Sequence, residues 1–428
     1  MMKHAKKSDH LQLVDLPKTT TVEIPLPLLG AFENIENSFF DLCVRAGRQV
    51  LGAMMEEDRE VLCGPRWKRD PDRNAGRAGT TTSEVTLGGR RISICRPRVR
   101  SQDGREMELS TFAFATDRDP LDRRALNAVA CGVSTRKYSR SLEPLPVDVE
   151  ERSTSKSSVS RRYVAMTTKR MTTWLTIPLG DRHFPIVMID GIILGEHTVL
   201  IALGIDTDGK KQVLGLREGN TENSRVAKAL LRDLVDRGLD QERARLFVID
   251  GAKALRSAIR KLFGDLGVVQ RCQLHKRRNI LGHLPDRLHA SVKAVLNEAW
   301  SLGDATVAKR RLERLASSLE SDHPGAAASV REGLEETLTL QELGIGGTLY
   351  WKLRSTNAIE NLNSGIATYA RNVKHWQGGS MVMRWVSAGI VEAEKKFRRI
   401  QGFRDIEKLM NALGKMETKV EAAAERVA

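Results

Sequence analysis

The chain has 428 residues and a mass of 47.7 kDa, and its 41% hydrophobic and 29% charged residues are typical of a soluble globular protein of two or three domains. A formal charge of +15 favours a polyanionic partner, nucleic acid first and an anionic membrane surface second. No apolar run reaches membrane-spanning length, and five widely spaced cysteines without a C-x-x-C pair exclude a disulfide framework, so we expect a cytoplasmic protein without a membrane partner.

The first 125 residues divide into two predicted regions. Residues 1–65 are predicted to be helical, and no motif in them indicates a role. Residues 66–125 are predicted to form a basic β-hairpin region, because the alternating segment EVTLGGRRISICRPRVR has a turn signal at Gly88 and Gly89. Eleven Lys and Arg and four Asp and Glu fall between positions 66 and 105. Such a ribbon could contact DNA or be a solvated sheet edge protected by arginines, and the sequence favours the two interpretations equally.

Residues 126–180 are predicted to form a helix-turn-helix-like DNA-binding region. The segment LDRRALNAVACGVSTRKYSRSLEPL predicts a helix, a turn at Gly132 and a second helix capped by Ser134 or Thr135, and a third helix is predicted from near Ser158. Short helix pairs also occur in bundles that bind no DNA, but the charge of the whole chain favours DNA contact. Basic residues of the third helix are the predicted DNA contacts: Arg161, Arg162, Lys169 and Arg170.

Residues 181–276 are predicted to form the first part of a catalytic core. Three apolar strands follow one another in FPIVMIDG, HTVLIALGIDTDGK and KQVLGLREG, with a tight turn from Asp206 to Gly209. The amphipathic segment ENSRVAKALLRDLVDRGL, the strand ARLFVIDG, a helix and the short strand VVQRC come next. Three strands joined by turns and then strand, helix and strand indicate a mixed sheet flanked by helices, an order typical of the ribonuclease H-like fold.

Two aspartates are predicted to end neighbouring strands of this sheet. Asp190 follows IVMI and Asp250 follows LFVI, and each is followed by a glycine that would let the chain turn away. Adjacent strands lie about 5 Å apart, so the two carboxylates could share divalent cations. Taken singly, each Asp-Gly pair is more often a turn, but the shared apolar sequence before both favours a pair of metal ligands.

The rest of the chain is predicted to be helical. Residues 277–354 form an all-helical insertion with breaks at Pro285 and Pro324, residues 355–400 complete the core, and residues 401–428 form a C-terminal helix. The predicted fold class is therefore α/β, with a ribonuclease H-like mixed sheet that is flanked by helices, interrupted by an all-α insertion and preceded by an N-terminal α+β DNA-binding region.

Glu360 is the third candidate carboxylate. In LRSTNAIENLN, Ser355 or Thr356 is predicted to cap a helix, and Glu360 falls one turn into it, where an acid also favours the positive end of the helix dipole. A helix-start acid is the simpler interpretation. Its position 110 residues after Asp250, across the helical insertion, is what an interrupted catalytic core would produce.

These segments resemble the Mutator-like (IS256-type) family of bacterial insertion-sequence transposases, which have a DDE catalytic core. The resemblance runs over roughly residues 75 to 400 and rests on five segments in order: GVSTRKYSRSLEP, Asp190-Gly191, Asp250-Gly251, Cys272-Gln273-Leu274-His275 and Thr356 to Asn363. It implies catalysis by Asp190, Asp250 and Glu360, two Mg²⁺ (or Mn²⁺) ions on the same three residues with Asp190 shared, and cleavage and joining of double-stranded DNA at element ends and target DNA. It also implies a dimer or higher oligomer, associated with the nucleoid when bound to DNA.

Four further residues are weighed beside this core. Cys272 and His275 could suggest zinc, but they lack a convincing second ligand pair, and the resemblance implies a core-adjacent structural or DNA-proximal role. Arg371 and Lys374 follow Glu360 by eleven and fourteen residues, and on a continuous helix they would contact DNA phosphates.

Two alternative functions stay open: a catalytically inactive DNA-binding regulator or relic of the same fold, and a structure-specific nuclease that does not join strands.

Overall fold

The computed structural model describes residues 35–68, 73–87, 90–117, 127–129, 132–142, 145, 149–152, 155–219 and 224–425. The chain divides into two compact units, Met1–Tyr163 and Val164–Ala428. The division falls inside one long helix, which takes part in both units. No helix among the described residues is long and apolar enough to cross a membrane.

The first unit is built on the predicted hairpin. Its elements are α1 (Ile35–Cys63), β1 (Ala75–Leu87), β2 (Arg90–Ser101), β3 (Glu106–Met107), α2 (Ser110–Asp117), β4 (Glu151–Arg152) and the start of α3 (Lys156–Leu175). β1 and β2 pair antiparallel, and Leu87 lies opposite Arg90, which confirms the hairpin, while the turn residues 88 and 89 lie outside the described residues. Alternate residues Val85, Ile92 and Ile94 are buried with Met55 of α1, so one face of the ribbon is core.

The predicted helix pair before α3 is only partly borne out. Most of the first predicted helix lies outside the described residues, although 127–129 are helical. The second helix is wrong for the described residues 132–142, which form turns and one 3₁₀ turn, Ser139–Ser141. The Ser141 hydroxyl donates to the Tyr138 carbonyl (2.7 Å), and such side-chain bonds compete with α-helical ones. Pro144 follows closely in the sequence, so the segment is too short to nucleate a helix. The third helix is confirmed as α3, two residues earlier than Ser158.

The second unit contains a mixed five-stranded sheet. Its strands are β5 (Ile186–Leu194), β6 (His197–Ile205), β7 (Lys211–Gly219), β8 (Arg245–Ile249) and β9 (Gly267–Arg271). Their order is β7-β6-β5-β8-β9, with antiparallel pairing from β5 to β7 and parallel pairing of β5, β8 and β9. All five predicted strands are therefore confirmed, and so is the turn at Asp206, whose carbonyl accepts from the Gly209 amide (2.9 Å).

Each face of this sheet has its own core, because successive strand residues point to opposite faces. Val187 and Ile189 of β5 pack on the face covered by α4 (Ser224–Asp236) and α5 (Lys253–Phe263). Ile186 and Met188 pack on the opposite face. That face is covered by α12 (Asn357–Ala370), α13 (Gly379–Glu394) and the C-terminal helix α14 (Ile406–Glu425).

The residues predicted as a helical insertion form a run of helices with a hydrophobic core of their own. It comprises α6 (Gln273–Leu281), α7 (Asp286–Ser301), α8 (Ala305–Leu319), α9 (Pro324–Arg331) and the short α10 (Thr339–Glu342) and α11 (Gly347–Leu353). Pro285 caps α7 and Pro324 is the first residue of α9, as the sequence predicted. Buried Trp300 lies in the insertion core, whereas Leu349 and Leu353 join the core of the sheet. The end of the insertion therefore also supports the sheet.

Candidate functional site

Strand register brings the two aspartates together. Ile189 of β5 lies opposite Ile249 of β8 in a parallel pair, so Asp190 and Asp250 follow at matching levels. One correction concerns Asp190, which lies inside β5 and not at its end, because Gly191 continues the pairing with β6. Asp250 does follow the last residue of its strand, as predicted.

The alternation of side chains also selects the face on which both carboxylates lie. Residues at even positions of β5 and β8 belong to the core beneath α12: Ile186, Met188, Ile192, Leu194, Leu246 and Val248. Asp190 and Asp250 fall in these two series. Glu360 lies in the first turn of α12, whose apolar residues Ile359 and Leu362 pack on the same face. The geometry therefore assembles all three candidate acids.

The charges of the three acids act on one another. Burial raises the pKa of Asp190 to about 6, and the negative charge of Asp250, with a smaller contribution from Glu360, raises it in the same direction. A backbone hydrogen bond at Gly191 and the nearby His275 oppose this rise only in part. Within the described residues, no Lys or Arg forms an ion pair with these three carboxylates. The site is therefore a concentration of negative charge that no described Lys or Arg balances, and His275, whose pKa is raised, is the titratable base beside it.

Glu360 and Asp250 are each fixed by a local hydrogen bond. Thr356 occupies the predicted cap position of α12, but its side chain makes no capping bond. Its hydroxyl donates to Glu360 Oε1 (2.7 Å), so the predicted cap residue instead orients the acid one turn later. Asp250 Oδ1 accepts from the Ala252 amide (2.9 Å), and Gly251 has a φ of 104°, so the chain turns away and leaves the carboxylate at the strand end.

Cys272 and His275 lie beside Glu360, behind the carboxylates. The Thr356 hydroxyl is 3.4 Å from both Cys272 Sγ and His275 Nδ1, and His275 Nε2 is 3.9 Å from Glu360 Oε1. Burial of Cys272 opposes ionisation, yet its hydrogen bonds with His275 and Thr356 lower the pKa of the thiol, and the same thiol contact raises the pKa of His275. One ligand atom each from Cys272, His275 and Glu360 lies within 4.8 Å of the others. The pair therefore lies beside Glu360, and its structural or DNA-proximal role stays a prediction.

Asn363 has no role predicted from the sequence, and the structure places it beside Asp190. Its Nδ2 donates to Asp190 Oδ2 (2.9 Å) and approaches the Gly191 carbonyl (3.4 Å). Its Oδ1 is buried and has no hydrogen-bond partner among the described residues. Asn363 follows Glu360 by three positions, which puts both on one helix face, and this spacing is the signal that could have found it.

This set of atoms suits a hard cation. Three carboxylates and the unsatisfied amide oxygen of Asn363 are oxygen donors, the ligand type that Mg²⁺ prefers, and among the described residues no Lys or Arg pairs with the three acids. A cation would relieve both the mutual repulsion that raises the pKa of Asp190 and the unmet hydrogen bonding of Asn363. The residues present therefore fit a divalent metal site.

None of the predicted DNA contacts forms an ion pair with the three acids among the described residues. Arg161, Lys169 and Arg170 are exposed on α3, and Arg162 is half-buried on the same helix. Arg371 and Lys374 are exposed, but the predicted continuous helix beneath them is wrong. α12 ends at Ala370, where the Arg371 amide donates to the Thr368 carbonyl in a tightened last turn.

Comparisons with known proteins agree on one kind of protein. A family model described as "Transposase, Mutator family" matches residues 30–400. The transposase for insertion sequence element IS256 in transposon Tn4001 of Staphylococcus aureus is 25% identical over 358 residues, which cover 80% of this chain and 87% of the relative. The transposase for IS406 of Burkholderia multivorans is 26% identical over 386 residues (87% and 95%). The transposase for ISRM5 of Rhizobium meliloti is 27% identical over 371 residues (85% and 89%).

Proposed function

The chain belongs to the Mutator family of transposases, and from this premise we propose that it is a DDE transposase that cleaves and joins DNA at the ends of an insertion sequence. The observation that carries the proposal is the convergence of Asp190, Asp250 and Glu360 on one face of the sheet, without a described Lys or Arg to neutralise them. Proteins rarely hold like charges together in this way unless a ligand uses them.

We also propose that the second unit is ribonuclease H-like. The strand order β7-β6-β5-β8-β9 and the position of the two aspartates on adjacent parallel strands support this interpretation. The helices of the insertion leave the sheet after β9 and return through α11 and α12. The insertion therefore lies between the second and third acids in sequence without separating them in space.

We propose that Asp190, Asp250 and Glu360 would hold two Mg²⁺ or Mn²⁺ ions. The chemistry that such ions would supply is activation of a water or a DNA 3′-hydroxyl and stabilisation of the leaving oxygen. The protein's own part is to position the ligands. Thr356 orients Glu360, and Asn363 holds Asp190 through its amide nitrogen.

No side chain of the cluster is suited to attack DNA covalently. Cys272 is the strongest nucleophile near the acids, but it is fully buried and hydrogen-bonded to Thr356. A mechanism through a protein–DNA covalent intermediate needs an exposed, activated nucleophile. We therefore propose direct attack by water and then by the freed DNA 3′-hydroxyl.

The substrate follows from the proposed chemistry. Strand transfer must hold two element ends and a target together, so we propose double-stranded DNA as the partner and at least a dimer as the active form. The charge of +15 supports binding to a polyanion. We propose that the protein acts in the cytoplasm on nucleoid DNA.

The test uses the purified full-length protein and labelled DNA carrying the inverted repeats that flank the gene. Reactions with Mg²⁺, Mn²⁺ or Ca²⁺ are resolved on denaturing gels for nicked and joined products. We expect both products with Mg²⁺ or Mn²⁺, and neither with the variant Asp190→Asn. Nicking that survives in Asp190→Asn would overturn the DDE assignment, binding without any nicking would indicate the regulator, and nicking without joining would indicate a structure-specific nuclease.

A further inference from the structure

A basic groove lies in the second unit next to the carboxylates. It has a volume of about 750 Å³ and runs between the first residue of α5, the end of α6 and one side of α9. The lining residues that matter here are Lys253, Arg278, His283, Gly325, Ala328 and Glu332. Nothing in the proposed chemistry uses this groove, and none of the predicted DNA contacts lines it.

The groove is connected to the site through a short series of contacts. Lys253 begins α5 three residues after Asp250, and Arg278 lies one helical turn beyond His275 on α6. Between them, the buried Arg271 guanidinium packs so closely on Gly251 that a Cβ there would collide with it. Arg271 in turn pairs with Glu332 in the groove wall (Nη2 to Oε2, 3.1 Å). One layer of side chains therefore separates the groove from Asp250.

The groove presents positive charge that the protein does not neutralise. Glu332, the one acid among its described lining residues, is paired with two buried cations, Arg271 and Lys276 (Nζ to Oε2, 3.7 Å). Lys253 and Arg278 are exposed and form no ion pair with any described residue. Burial lowers the pKa of Lys276 to about 8, and the negative charge of Glu332 partly opposes this decrease. The wall therefore carries more positive charge than its single carboxylate can balance.

The shape of the groove suits a chain backbone. Gly282, Gly325 and Ala328 line it with little or no side chain, so a backbone could approach the helices closely. Gly325 is also the second residue of α9, an end of the helix where the dipole favours an anion. The two exposed cations, Lys253 and Arg278, stand on different helices that both line the groove, and cations of this kind bind phosphates.

We propose that this groove binds the phosphate backbone of the DNA strand on one side of the scissile phosphodiester, through Lys253 and Arg278. The inference rests on the proposed function, since it names where that function's substrate lies. It adds a contact surface on α5, α6 and α9, separate from the predicted contacts on α3 and after α12. The groove would set the position of the strand relative to Asp250.

The first experiment measures the salt dependence of DNA binding. Duplexes carrying an element end, or unrelated target DNA, are titrated by fluorescence anisotropy in Ca²⁺ at several salt concentrations. For the double variant Lys253→Gln, Arg278→Gln we expect Kd to rise and the log Kd against log salt slope to fall by about two, since each lost phosphate contact removes about one counterion. The matched control is Lys261→Gln on the exposed far end of α5, roughly 12 Å along the helix from Lys253, and it should leave the slope unchanged.

The second experiment changes the groove without removing its own cations. Ala328→Lys adds a cation to the wall, and we expect tighter binding and a slope steeper by about one, whereas Ala328→Glu should weaken binding. If neither Ala328 variant moves Kd and the double variant matches Lys261→Gln, the groove inference is wrong, even if the wild-type protein still cleaves DNA. If the variants move Kd as expected but the wild type shows no metal-dependent cleavage, the groove inference stands and the proposed chemistry fails.

Discussion

Acidic side chains in two places, one in each unit of the chain, have opposite surroundings. In the first unit, Glu56 of α1 accepts hydrogen bonds from Arg59 Nε (3.1 Å) and Arg77 Nη1 (2.7 Å). Glu106 accepts from Arg98 Nε (2.9 Å). In the second unit, Asp190 shares a half-buried space with two other carboxylates and accepts a side-chain bond from a neutral amide.

The pKa values express this difference. Burial alone would raise the pKa of Glu56, but the bonds from Arg59 and Arg77 outweigh it and the pKa is lowered. For Asp190, burial and the charge of Asp250 act in the same direction and raise the pKa to about 6. Glu56 and Glu106 are paired with the protein's own arginines, whereas we propose that Asp190, Asp250 and Glu360 take a cation from outside. The predictions below test that contrast.

The largest expected effect is on DNA cleavage. Glu360→Gln should lower the rate of Mg²⁺-dependent nicking by at least about 10³-fold, because loss of a metal ligand removes several kcal/mol of transition-state stabilisation. Glu56→Gln is the same substitution at an acid that is paired with Arg59 and Arg77, and it should leave the nicking rate unchanged. Single-turnover nicking of labelled element ends measures both. Equal nicking rates for Glu360→Gln and Glu56→Gln would contradict the proposal that Glu360 is a metal ligand.

A smaller loss is expected for the residues that hold the ligands. Thr356→Val removes the hydroxyl that orients Glu360, and Asn363→Ala removes the amide on Asp190. Each should lower nicking by about 10–100-fold and raise the Mg²⁺ concentration needed for half-maximal rate, since outer-shell contacts tune metal ligands by that factor. Thr368→Val is the matched control, because Thr368 is exposed on the same helix and its hydroxyl donates to the Ser364 carbonyl of that helix. A normal Mg²⁺ requirement in both variants would contradict the positioning role.

The sheet and its pair of aspartates could be predicted from the sequence, but the side chains that hold these aspartates in place could not. Apolar alternation in FPIVMIDG and RLFVIDG specifies strands, and a shared sequence context is a local property, so Asp190 and Asp250 could be paired from the amino-acid sequence alone. Asn363 acquires its role only when α12 packs on β5 in one rotation, which depends on residues far apart in the chain. The missing helix before Pro144 had another cause, since serine hydroxyls there compete with the backbone.

The third prediction concerns stability and its pH dependence. Because the folded pKa of Asp190 is about 6 and its ordinary value is 3.8, the unfolded chain ionises first as pH rises, and the wild type loses stability between about pH 4 and pH 6. Asp190→Asn avoids that loss, so in EDTA it should match the wild type near pH 4 and exceed it above pH 6. The gain should be about 1–2 kcal/mol, less than the full shift implies because the carboxylate is partly hydrated. Urea unfolding at pH 4.5, 6 and 7.5 measures the free energy of unfolding of both proteins. An Asp190→Asn variant less stable than wild type at pH 7.5 would contradict the destabilising effect of the Asp190 charge.

The smallest expected effect concerns Glu56 of the first unit, whose pKa is shifted in the opposite direction to that of Asp190. The pKa of Glu56 is lowered from 4.5, so its ionised form stabilises the fold above that value, and this contribution disappears as the pH falls through the lowered folded pKa. Glu56→Gln should therefore destabilise the hairpin unit at neutral pH by less than about 1 kcal/mol, because the side chain is partly exposed, and match wild type in acid. Glu60→Gln, an exposed acid one turn along α1, is the control. Hydrogen exchange of the β1 and β2 amides measures the loss, and stabilisation at neutral pH would show that Arg59 and Arg77 do not complete this acid.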